Sequence, residues 1–126
     1  MGILATAKPI VVVCTRNRAR ATAFYRDTLG LQSVSEDNFA AVFETGGITL
    51  RISFVADFTP HGHTMLGFKV ADVEATVKAL SEKGVSFMEL PHIKQNQLGI
   101  WTAPGGEVQV AWLRDPDSNV LSITNA

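Results

Sequence analysis

Residues 20–31 read RATAFYRDTLGL, and residues 74–85 read EATVKALSEKGV. Laid over one another without a gap, they match Ala21 with Ala75, Thr22 with Thr76 and Gly30 with Gly84. In the first stretch Ala21, Phe24, Tyr25 and Thr28 recur at the spacing that places side chains on one face of a helix. Val73, Val77 and Leu80 do the same around the second. Each helix has a candidate N-cap, Asn17 or Asp72, and each has a glycine, Gly30 or Gly84, where a left-handed C-cap belongs. Two like helices in like settings point to a duplicated supersecondary unit.

β-prone runs complete that unit on both sides. KPIVVVC (8–14) precedes the first helix, and LQSVSED (31–37), FAAVFE (39–44) and ITLRISF (48–54) follow it, divided at EDN and by the Gly46-Gly47 turn. MLGFKV (65–70), the helix over 72–84, VSFMEL (85–90), GIWTAPGGEVQVAWL (99–113) and NVLSIT (119–124) repeat the order β-α-β-β-β. We read one α+β domain over 1–126, with a first module at about 8–56, a linker at about 57–63 and a second module at about 64–124.

Composition narrows the partners. A chain of 126 residues that is 46% hydrophobic can close one core unaided. Eleven basic against twelve acidic residues leave a net charge of −1 without a block of like charges, which argues against nucleic acid and against an anionic membrane surface. The single cysteine, Cys14, has no internal disulfide partner. MGILATAKPIVVV lacks a charged n-region and a cleavage pattern, and no apolar stretch is long enough to span a bilayer, so the expectation is a soluble, cytoplasmic protein. GxGxxG, Walker, CxxC, HExxH and GxSxG motifs are absent.

Three stretches, AFYRDTLGL (23–31), FKVADVEATVKAL (68–80) and WLRDPDSNVLSI (112–123), resemble the signatures of the vicinal oxygen chelate superfamily, which includes glyoxalases, bleomycin-resistance proteins and extradiol dioxygenases. The resemblance implies two βαβββ modules forming a curled mixed β-sheet cup with helices outside, commonly at a homodimer interface. Metal-dependent members place four ligands in the cup, usually His or Gln and Glu, one on the first and one on the last strand of each module. Such a set leaves open positions on a divalent ion, where vicinal oxygens of a substrate can chelate.

Carried over residue by residue, those ligand positions fall at Ile10 and Arg51 in the first module and at Met65 and Ser122 in the second. Isoleucine cannot coordinate, arginine repels a cation, and the thioether of methionine favours soft Cu(I). Ser122 stands where the family would carry a carboxylate. The expectation is a cup without a catalytic metal, in which Ser122 is a small polar lining residue. His61 and His63, in TPHGHTM just before the fifth strand, are the fallback: a slip of two residues would bring His63 to the third position. The plainer reading makes them part of an exposed linker rich in Pro and Gly, as His92 is part of a loop.

Arg51 has two readings. Inside a cup its guanidinium would need an anionic or polarised ligand group to offset desolvation; otherwise it forms a salt bridge with Glu44, Glu107 or Asp115. Trp101 and Trp112 could stack on a planar ligand or serve as core, and Phe39 and Phe43, expected to share a strand face, are open in the same way. Arginines near Cys14 could depress its pKa, but no histidine base is placed beside it. RNRAR (16–20) reads as a solvated helix start.

The leading expectation is therefore a glyoxalase- and bleomycin-resistance-like protein. It would bind a small organic molecule, anionic or aromatic, through Arg51, Ser122, Met65, Ile10, Trp101 and Trp112 without a metal cofactor. The alternatives are a metal-dependent lyase, isomerase or dioxygenase of the same superfamily, and a structural or regulatory dimer.

Overall fold

A computed structural model describes residues 2–126. The chain divides into two compact units, one ending at Asp57 and the other beginning at Phe58. Among the described residues, no helix is long and apolar enough to cross a membrane.

The first unit runs β1 (Ile10–Thr15), α1 (Arg18–Ala23), a π-helical turn (Phe24–Thr28), β2 (Gln32–Glu36), β3 (Ala40–Thr45) and β4 (Ile48–Phe54). Its sheet has the order β1-β4-β3-β2, with β1 parallel to β4 and the other pairs antiparallel. Asn17 starts α1 as its composition suggests: the backbone is extended there and Oδ1 accepts from Arg20 N at 3.1 Å. The helix expected over 17–30 widens after Ala23, and Leu29 N donates to Phe24 O at 2.9 Å, five residues back. That wider turn changes the helical register. Ala21 and Tyr25 remain fully buried, whereas Phe24 and Thr28, expected on the same face, are only half-buried. The Tyr25 ring lies 6.2 Å from Phe43, which is buried with Leu50 and Ile52 on the sheet face toward the helix. Each such side chain contributes on the order of 1.5–3 kcal/mol by leaving water.

The second unit runs β5 (Thr64–Lys69), α2 (Val73–Glu82), β6 (Trp101–Thr102), β7 (Gln109–Arg114) and β8 (Val120–Thr124). The order β5-β8-β7-β6, with β5 parallel to β8, repeats that of the first unit. Asp72 Oδ1 accepts from Ala75 N at 3.0 Å, and Asp72 has nearly the same backbone angles as Asn17. Val73 and Val77 are buried on the side of α2 that contacts β7 and β8, where Ala111, Leu113, Leu121 and Ile123 are also buried. Leu80 is half-buried.

Three local expectations are corrected. VSFMEL is not a strand: it makes a single bridge, Phe87 to Leu113, and Met88 N donates to Trp112 O at 2.8 Å. The chain then leaves β7 and returns only at β6. The Gln95 side chain holds the intervening loop: Oε1 accepts from Leu90 N at 2.7 Å, and Nε2 donates to Met88 O at 2.9 Å and to Gly99 O at 2.8 Å. A side-chain amide thus replaces ladder bonds that a continuous strand would have made. GIWTAPGGEVQVAWL is likewise two strands, because Gly105 and Gly106 take positive φ angles of 101° and 82° and reverse the chain. Phe39 does not share the buried face of Phe43. It is 71% exposed in the turn before β3, where Asp37 Oδ1 accepts from Phe39 N and Ala40 N.

Candidate functional site

Strand alternation sorts each sheet into a face toward its helix and an opposite, open face. In the first unit the open face holds Ile10, Val12 and Cys14 on β1, Thr49, Arg51 and Ser53 on β4, and Ala40, Val42 and Glu44 on β3. Its central row is Val12, Arg51, Val42 across three strands. In the second unit the equivalent row is Gly67, Ser122, Trp112. Arg51 and Ser122 therefore occupy the same rung of equivalent strands.

Ile10, 54% exposed, pairs with Thr49, one rung from Arg51 on the same face. In the second unit the ladder counts differently. Thr64 pairs with Val120 and Leu66 with Leu121, leaving Met65 as the extra residue of a bulge. The ladder equivalent of Ile10 is thus Thr64, and Met65 stands half-buried beside it.

Arg51 is half-buried, and among the described residues of its own unit its guanidinium makes no hydrogen bond or ion pair, with Glu44 included. The Asp115 carboxylate, one of its candidate partners, accepts from Asp117 N, Asn119 N and Asn119 Nδ2 at 2.8–2.9 Å. Arg51 does reach Asp37 through space. The Asp37 pKa is lowered chiefly by the hydrogen bonds from Phe39 N and Ala40 N, with smaller contributions from the charges of Arg51 and Arg18.

Ser122 is only 7% exposed, and its hydroxyl has no hydrogen-bond partner among the described residues. Beside it is a residue that sequence reading passed over. A Cβ on Gly67 would lie 2.9 Å from Ser122 Oγ. The available signal was a glycine inside a strand, which often marks a close approach. Trp112 adjoins Ser122 in the row, and Trp101, paired with Val110, lies on the same face. The indole centroids are 6.3 Å apart and both residues are half-buried.

These positions do not fit a catalytic divalent ion. They offer hydrocarbon, guanidinium, thioether and a neutral hydroxyl, none of them a strong donor to a borderline metal. Among the described residues, no three of His, Cys, Asp and Glu converge. The rings of His61 and His63 stand 5.0 Å apart on exposed chain before β5.

Comparison with known proteins agrees with this architecture. A Bacillus subtilis (strain 168) protein, YraH, is 29% identical over 119 residues, covering 82% of this chain and 86% of its own length. The crystal structure of a glyoxalase family protein from Bacillus anthracis superposes with a TM-score of 0.75 at 18% identity, covering 98% of both chains. The fosfomycin resistance protein FosX from Listeria monocytogenes gives a TM-score of 0.75 at 12% identity, covering 94% of this chain and 92% of its own. At such identities the superpositions speak for the fold. The sequence pattern of the family itself matches residues 9–123, and the chain belongs to the Glyoxalase/Bleomycin resistance protein/Dioxygenase superfamily.

Proposed function

We propose that this chain binds a small organic molecule on the open faces of its sheets and does so without a catalytic metal ion. The observation that carries the reading is the substitution at one rung: the last strand of each module presents Arg51 or Ser122, where a metal site needs a carboxylate or an imidazole. A half-buried guanidinium without a partner in its own unit favours a carboxylate or a polarised oxygen on the ligand. On the face of the second module, Trp101, Trp112 and Ser122 favour an aromatic group, and Ile10 and Met65 add apolar surface, each beside the row of its own module. The exposed Ile10 and Val12 of β1, together with the family resemblance, lead us to read the chain as a homodimer.

The paired rings of His61 and His63 support one second reading, a metal-dependent lyase, isomerase or dioxygenase. Thermal melts separate the two, because a ligand that binds only the native state raises the melting temperature by mass action. The proposal expects aromatic acids and planar antibiotics to raise it, and expects the effect of the acids to shrink in Arg51→Ala. A rise with divalent metal salts and none with organic molecules would make the enzyme reading the better one.

A further inference from the structure

The open face of the second module carries a group of residues with its own chemistry. Ser122 as a residue is more than nine-tenths buried, and its hydroxyl makes no hydrogen bond among the described residues. A hydroxyl without a protein partner is free to donate to a ligand atom in place of water. This hydroxyl is not sealed in. Thr22 Oγ1 is the fully enclosed, unpartnered side-chain polar atom among the described residues, and Ser122 Oγ is not in that state. Beside it is Gly67, which is exposed and pairs with Ser122 across the β5–β8 ladder. A methyl group there would come within 2.9 Å of the hydroxyl oxygen and would push it out of its present position.

On the other side of Ser122 the row continues into Trp112, with Trp101 6.3 Å away on the same face. Half-buried indoles offer flat apolar surface to another ring. Charge is missing from the middle of this face. Its remaining members on β7 and β8 are Val110, Val120 and Thr124, and the charged residues, Lys69 and Arg114, stand one rung from Ser122 toward opposite ends of the sheet. The rung of Ser122 itself offers one neutral donor and no charge, which suits an uncharged hydrogen-bond acceptor.

We infer that Gly67, Ser122, Trp112 and Trp101 form a subsite for a flat, uncharged aromatic ring carrying an oxygen or nitrogen that accepts a hydrogen bond from the Ser122 hydroxyl. The inference rests on the organic-ligand reading above and assigns the ligand class at one of its two central rows. Gly67 acts there as a specificity residue, through the space it leaves empty.

Because the chain contains only two tryptophans, both indole N–H signals in a nitrogen-15 NMR spectrum come from this subsite. The probes are coumarin, a flat aromatic lactone, and octahydrocoumarin, which keeps the carbonyl but loses the flat ring. Coumarin is expected to shift both signals saturably and to bind about tenfold or more tightly than octahydrocoumarin. That is at least about 1.4 kcal/mol. Gly67→Ala should weaken coumarin by a similar factor, and Ser122→Ala by about fivefold, the worth of one neutral hydrogen bond. The double variant Gly67→Ala with Ser122→Gly removes the collision and should bind coumarin no worse than Ser122→Ala, which separates blocked access from misfolding. Unmoved indole signals, equal affinity for the two lactones, or coumarin affinity unchanged in Gly67→Ala would each overturn the inference. Melting-temperature rises with other organic ligands would then still stand for the broader reading.

Discussion

The two modules are built alike and finished differently. Both run strand, capped helix, then the remaining strands, and both order their sheets so that the first strand lies parallel to the last. Leu50 and Leu121 occupy equivalent buried positions, as do Ala41 and Ala111. The divergence is on the open faces, where one module centres a guanidinium between two valines and the other a hydroxyl between a glycine and an indole. A duplicated scaffold needs its helix-side packing twice, because each sheet must bury one face. The other face is free to change.

The comparison breaks most visibly if the equivalent cores are not energetically equivalent. Leu50→Ala and Leu121→Ala each remove a fully buried side chain, and each should cost about 2–5 kcal/mol in denaturant unfolding. A loss in one module without a like loss in the other would show that only one core holds the fold together.

The turns into the last strands should differ instead. In the first module the reversal uses Gly46 and Gly47, with φ of 55° and 80°. In the second, the buried Asp115 carboxylate holds the turn with three accepted hydrogen bonds, so Asp115→Ala should cost about 2–3 kcal/mol. Ser118 sits in the same turn at a φ of 70°, and Ser118→Gly should gain up to about 1 kcal/mol in a thermal melt. The smallest effects belong to the helix caps. Asn17→Ala and Asp72→Ala should each lose about 1 kcal/mol, and by similar amounts if the caps are the equivalent devices their geometry makes them.

Much of the scaffold was legible because local chemistry and global fold agree. The caps at Asn17 and Asp72, the glycines at Gly30 and Gly84 and the alternation in ITLRISF each dictate the element they form. The misses have physical causes. VSFMEL has strand composition, but the Gln95 side chain, in the loop that follows, takes over backbone groups of Met88 and Leu90. Phe39 looks like a strand residue until Asp37 captures its N–H. The bulge at Met65 depends on register between strands distant in sequence, which periodicity within β5 alone does not report. At the site, the identities of Arg51 and Ser122 could be read directly. Gly67 could not, because its role is the distance to a side chain on another strand.

The central claim is that the family's metal positions have been given over to other chemistry. Calorimetric titration of metal-stripped protein with manganese, cobalt, nickel and zinc salts tests it most directly. The account predicts no saturable binding in the low micromolar range. One-site binding in that range, abolished in His63→Ala, would contradict it.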